Sequence, residues 1–168
     1  MSITMYQTCV PVLVRALTNL SGVLAKGAAH AADRNIAPEV LLNTRITPDM
    51  FPLIRQVQIA TDMAKGAVYR LAGEEPPKME DNEATFDDLQ ARIAKVIGML
   101  ESFKPAQFEG SEEREIVLKM RSGEMRTRGQ DYLLNFVLPN VYFHTTTAYA
   151  ILRGVGVVLG KADFLGKA

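Results

Sequence analysis

Four stretches of this chain repeat apolar residues at alternating steps of four and three, and that spacing confines it to packed helices. Residues so spaced lie on one side of a helix, so each stretch carries a single stripe that must leave water. The first stripe is Tyr6, Val10, Leu13, Leu17, Leu20 and Leu24. The second is Met50, Ile54, Val57, Thr61, Ala64, Val68 and Leu71. The third is Phe86, Leu89, Ile93, Val96 (or Ile97), Leu100 and Phe103. The fourth lies in LPNVYFHTTTAYAILR, from Leu138 to Arg153, and joins Val141, Thr145, Ala148 and Leu152. One-sided helices bury such stripes by packing on one another, so the expected fold class is all-α, a four-helix bundle.

Punctuation between the stripes places the boundaries. Pro11 interrupts the first helix, which either kinks there or follows a short N-terminal turn, and the helix runs out between Ala28 and Asp33. Pro38 and Glu39 suit the first turn of a short helix in the connector. Thr47 followed by Pro48 predicts the N-cap and first position of the second long helix. Gly73 stops that helix, and the polar run Glu74 to Asp81 is a loop. Thr85 and Asp88 form a capping-box pair for the third helix. The period then changes to two: Ile116, Leu118 and Met120 alternate with polar residues, Ser122-Gly123 turns, and Met125 and Thr127 alternate again. This predicts a small β-hairpin leaning on the helices. The last helix is expected to start near Gln130 and Asp131. Its sequel GVGVVLGKADFLG is too glycine-rich for a helix and reads as an extended C-terminal tail. Val157, Val158, Leu159, Phe164 and Leu165 in it need cover, on the bundle or at a subunit interface. The connection between the first two long helices is long enough to be a crossover.

Composition narrows the function classes. A chain of 168 residues is most simply one domain, 1–168, large enough for a real core. Acidic and basic residues balance at 19 each, so no surplus of cations marks a nucleic-acid surface. Lys119, Arg121, Arg126 and Arg128 interleave with Glu115 and Glu124, the pattern of a solvated hairpin. The single cysteine, Cys9, excludes an intrachain disulfide framework and is expected to be buried packing. The N-terminus lacks the features of a secretory signal, and no uninterrupted apolar run approaches the roughly 18 residues of a membrane span. A cytoplasmic protein is expected, with no membrane and no nucleic-acid partner.

His144 is the residue most open to a chemical reading. It sits three residues after Val141 and four before Ala148, beside the fourth stripe and facing inward. A buried imidazole needs partners. Those within reach by this reading are a helix carbonyl, Gln58, Asp62 or a tyrosine hydroxyl, with Gln56 also on the inner flank of the second helix. The structural reading is a satisfied core histidine. The functional reading is a small polar pocket between helices, lined by Gln58, Asp62, Tyr142, His144, Ala148 and Tyr149. Thr145, Thr146 and Thr147 read as small residues bonded one turn back, with a hydroxyl-lined cavity as the alternative. His30, near the end of the first helix, reads as exposed. No GxSxG stretch or other signalled nucleophile occurs.

Two stretches carry a family resemblance: TPDMFPLIRQVQIATDMAKGAVYRLAG, from Thr47 to Gly73, and LPNVYFHTTTAYAILR with the tail LGKADFLG. Together they resemble an uncharacterised bacterial domain-of-unknown-function family grouped with the DinB/YfiT-like four-helix bundles. The resemblance implies an up-down-down-up style bundle, often a homodimer. The wider superfamily is similar to metal-dependent enzymes, thiol S-transferases among them, that hold a divalent ion with three histidines. One comes from the second helix and two from the start of the fourth in the pattern His-x-x-x-His. Residues four apart on a helix project to the same side, so two imidazoles can converge on one ion.

This chain departs from that pattern. His144 matches the first histidine of the pair, Ala148 stands where the second would be, and the second helix has no histidine. Gly154 follows Arg153 where the family often has another histidine. A lone imidazole with amides and one carboxylate is a poor zinc or nickel site, and only a weak ion at His144 is conceivable. The expectation is a homodimeric small-ligand-binding or non-catalytic bundle without a complete metal triad and without a cofactor. The alternative is a thiol transferase or hydrolase using His144 as general base.

Overall fold

The computed structural model describes residues 2–120 and 123–166. Helix α1, Met5–Asp33, opens on a capping box in which Thr4 accepts from the backbone of Gln7 while the Gln7 side chain returns to Thr4. It runs unbroken through the exposed Pro11, so no separate N-terminal turn precedes it. Its stripe is enclosed, with Leu13, Leu17 and Leu24 fully buried. By length and composition α1 is long and apolar enough to cross a membrane, contrary to the reading of the sequence. In this fold its apolar face is instead the bundle core, and each enclosed leucine contributes about 1.5–3 kcal/mol of burial.

A short helix α2, Pro38–Leu42, leads to α3, Leu53–Ala72. The expected start at Thr47 and Pro48 is not a helix: those residues form a turn, and Pro52 is the N-cap. Proline forces the residue before it out of the helical region, so Phe51 cannot continue a helix from Pro48 into Leu53. The Thr47 hydroxyl bonds the Asp49 carboxylate at 2.7 Å rather than capping a helix, and Met50 stays outside the α3 stripe. Gly73 closes α3 at φ 82°, a left-handed cap that suits glycine. Helix α4, Phe86–Glu101, begins with the Thr85–Asp88 capping box.

The hairpin pairs β1, Glu115–Met120, with β2, Gly123–Arg128, antiparallel, and buries Ile116 and Leu118 against the helices. Its exposed arginines pair with acids, Arg126 with Glu115 and Glu124, and Arg128 with Glu113. Arg121 and Ser122 of the expected turn lie outside the described residues.

The last helix starts at Gly129, beside the expected Gln130 and Asp131. It comprises α5, Gly129–Asp131, a π-helical segment Tyr132–Val137, and α6, Leu138–Gly154. Pro139 explains the wider turn. It offers no N–H and crowds the carbonyl four residues back, and a π segment relieves both. The Asn140 side chain bonds the Phe136 carbonyl, one turn back, at 2.6 Å. The tail is not wholly extended: Lys161–Leu165 forms a further short helix, α7, against α1. Val157 and Leu159 are buried on the bundle, whereas Val158 and Leu165 are exposed in the single chain. His30 is half-buried rather than exposed, with its Nε2 enclosed and unpaired among the described residues.

Around the bundle, α1 packs on α4, α4 on α3, α3 on α6, and α6 on α1. Consecutive long helices α1 and α3 are therefore diagonal, which makes their connection a crossover, and the hairpin spans the second diagonal from α4 to α6. The α3–α6 contact is the most extensive, and it carries the candidate site.

Candidate functional site

His144 is buried on α6 with 8% of its surface left, facing α3. Its Nδ1 lies 2.7 Å from Gln56 Oε1. The Gln56 amide is itself oriented, because its Nε2 donates to the Phe51 carbonyl at 2.9 Å. Turning that amide over would set two oxygens against each other. Gln56 therefore presents an acceptor to the ring, Nδ1 carries the proton, and Nε2 keeps its lone pair. Nε2 bonds nothing among the described residues and is not fully enclosed. Burial, and after it the positive charge of Arg55, lowers the His144 pKa below 6.5 and favours the neutral ring. Phe143 packs edge-on against the imidazole at 5.2 Å, and Arg55 lies over the Phe51 ring at 5.9 Å.

The other expected pocket residues are not gathered here. Gln58 faces away, donating to Glu83 at 2.8 Å and accepting from Arg55 at 3.1 Å. Asp62 is 2.9 Å from Lys65 and 3.1 Å from Arg92. Both belong to a charged cluster with Arg92 at its centre. The Arg92 Nε donates to the Thr61 hydroxyl at 2.8 Å, and Nη1 reaches the Glu80 carbonyl, Glu83 and Asp81 at 2.9–3.0 Å. Nη2 lies beside Asp62 without hydrogen-bond alignment. Arg55 pairs with Asp81 and completes the set. Three cations (Arg55, Lys65, Arg92) thus meet three carboxylates (Asp62, Asp81, Glu83). Burial raises the Glu83 pKa, but hydrogen bonds from Arg92 and Gln58 outweigh it and hold the carboxyl below 4.5. The cluster ties the loop after Gly73 to α3 and α4.

Sequence reading missed Arg92, Lys65, Glu83 and Asp81, although two signals were present. Arg55, Gln58, Asp62 and Lys65 recur at steps of three and four, a polar flank beside the α3 stripe. Arg92 falls on the apolar side of α4 between Leu89 and Val96, where a charge must find partners.

Tyr142 and Tyr149 also leave His144. Tyr142 is 43% exposed and lines a groove between α1, α6 and α7, and Tyr149 meets Phe164 edge-on at 6.2 Å. Ala148 is fully buried in the core. Thr145 and Thr147 bond one turn back, to Val141 and Phe143 at 2.9 and 2.7 Å, as expected of packing residues. Cys9 is enclosed and its thiol is pushed up to about 12 by burial.

These donors do not fit a transition-metal ion. Only Nε2 of His144 points outward with a lone pair. Gln56 is committed to the ring, Gln58 and Asp62 to the charged cluster, and the nearby Arg55 charge opposes a cation. Among the described residues no group of three His, Cys, Asp or Glu side chains is placed to share an ion.

The comparisons agree with the fold. No curated protein matches the chain. A crystal structure of a DinB family member protein from Shewanella denitrificans aligns at a TM-score of 0.92 with 40% identity, over 98% of this chain and 93% of that one. The fold is accordingly a DinB-like bundle. Residues 5–165 match the model of a domain of unknown function, DUF1993, and the chain belongs to that family.

Proposed function

We propose that this protein is a small-ligand-binding, homodimeric bundle that works without a resident transition metal beside His144. The observation that carries the reading is the engagement of each neighbouring donor. Gln56 is bound to the His144 ring, and Gln58 and Asp62 are bound within the Arg92 cluster. A cytoplasmic location belongs to the same reading and is supported by the single enclosed thiol, which leaves no intrachain disulfide to form. Elemental analysis of the purified protein tests the central point. Zinc, nickel and manganese are expected well below one equivalent, with no rise in melting temperature on adding them. One tightly held equivalent overturns the reading.

The His144 tautomer favours a second reading, in which Nε2 takes a proton as general base. Turnover of a small thiol with 1-chloro-2,4-dinitrobenzene tests it. Activity reduced at least about 100-fold in His144→Gln supports this role. Absent turnover, or an unaffected variant, removes it.

A further inference from the structure

We propose that the groove between α1, α6 and α7 binds a neutral, mostly apolar molecule of about ten heavy atoms that carries one hydroxyl or carbonyl group, with α7 as its lid. This deepens the ligand-binding reading and rests on it. The groove has a volume of about 300 Å³, at the lower end of ligand sites. At about 30 Å³ for each water displaced, it takes roughly ten waters' worth of ligand. A helix from a partner, about 10 Å across with its side chains, does not fit it.

The walls favour an apolar body. Helix α1 contributes Val12, Ala16, Leu20 and Val23, and α7 contributes Phe164 and Leu165. The polar groups between them decide the charge of the occupant. No described lining residue carries a carboxylate, so nothing there pairs a cation. Arg15 donates through Nε and Nη2 to the Leu165 carbonyl at 3.3 and 3.1 Å and makes a further interaction besides, so it is committed to holding the chain. Asn19 donates to the Phe164 carbonyl at 3.0 Å, and the Thr145 hydroxyl donates to the Val141 carbonyl at 2.9 Å. An anion entering the groove would lose its water without gaining these donors. Tyr142 differs from them. Its hydroxyl bonds no described residue, and a phenol both donates and accepts. It therefore pairs a single neutral hydroxyl or carbonyl on the ligand.

Helix α7 forms one wall of the groove yet buries none of its own residues. Besides the bonds from Arg15 and Asn19, it is held by the Phe164–Tyr149 contact and an exposed Lys26–Asp163 pair. Its docking is therefore among the weaker parts of the fold. A ligand that fills the groove touches Phe164 and Leu165 on one side and α1 on the other. It adds the apolar contact that the lid lacks and binds only the docked form, so it holds α7 in place.

Calorimetric titration of the full chain with 1-octanol, and separately with sodium octanoate, tests this, with hydrogen exchange followed over residues 160–166. Octanol is expected to bind and to slow exchange in that segment, and octanoate to bind at least about tenfold more weakly. Tyr142→Phe, which keeps the ring, should weaken octanol about three- to tenfold. Ala16→Phe, which fills the groove, should abolish its binding. Should that variant fail to fold, Tyr142→Phe decides. The proposal is overturned if octanol does not bind, if octanoate binds as tightly, or if octanol binding ignores both variants. Exchange that quickens when octanol binds also overturns it, because α7 is then displaced. So does an Ala16→Phe chain of half the particle mass with no octanol binding in the unaltered protein, which makes the groove a subunit contact. A stoichiometric metal found by elemental analysis would sink the reading of the preceding section yet leave octanol binding as it is, so the two failures are separable.

Discussion

His144 owes its protonation pattern to two linked hydrogen bonds, from the ring Nδ1–H to Gln56 Oε1 and from Gln56 Nε2 to the Phe51 carbonyl. Burial and Arg55 lower its pKa in the folded chain. The unfolded chain then binds a proton more readily, so His144 contributes stability above its unfolded pKa that is lost as pH falls through about 6.5 toward the lower folded value. With two histidines in the chain, proton NMR resolves the titration. One imidazole should titrate below 6.5, and His144→Gln should remove that part of the pH dependence of denaturant stability. A folded pKa above 6.5 refutes the account. Gln56 is the second lever. Gln56→Leu leaves the Nδ1–H and the Phe51 carbonyl without their partner, and urea denaturation should show a loss of about 1–3 kcal/mol.

At the scale of the element, Arg92 decides how the loop between α3 and α4 is held. Its guanidinium serves a hydroxyl, a carbonyl and three carboxylates from two segments, α3 and the loop, which the rigid fork of arginine allows and a lysine ammonium does not. Removing it leaves Glu83, only 9% exposed in its side chain, without its main cation. Arg92→Leu should therefore cost about 3–5 kcal/mol in chemical denaturation, with fast amide exchange spreading from Glu80 through Ala84. Arg92→Lys should recover less than half of that loss. A cost under about 0.5 kcal/mol, the range of ordinary surface changes, would show that the cluster is dispensable. The π segment is the other element with a local cause. A proline that denies the regular bond is met by a wider turn.

At the scale of the whole molecule, the diagonal placement of α1 and α3 brings α3 against α6 and so opposes Gln56 to His144. Phe51 and Phe143, each more than half exposed, lie beside that pole. They support the proposed homodimer, which predicts a light-scattering mass of twice the 18.5 kDa chain, with Phe143→Glu giving the single-chain mass. An unaltered chain that scatters at 18.5 kDa rejects it. The stripes, the Thr85–Asp88 capping box, the Gly73 stop, the hairpin and the inward His144 were all legible along the chain, because each follows from spacing or from residues close in sequence. Proline before Leu53 moved a helix start that Thr47 had seemed to mark, since the constraint of the Phe51–Pro52 bond outweighed a cap. Partner choice was decided only by the tertiary structure. Gln56, Gln58 and Asp62 all lie on the inner flank of α3, but about 100° of rotation per residue sends the first to α6, Gln58 to Glu83 of the loop and Asp62 to Arg92 of α4. The same rotation turns Tyr142 and Tyr149 away from His144 toward α1 and α7. Which helix stands opposite each flank depends on the crossover, a long-range arrangement that no local spacing encodes.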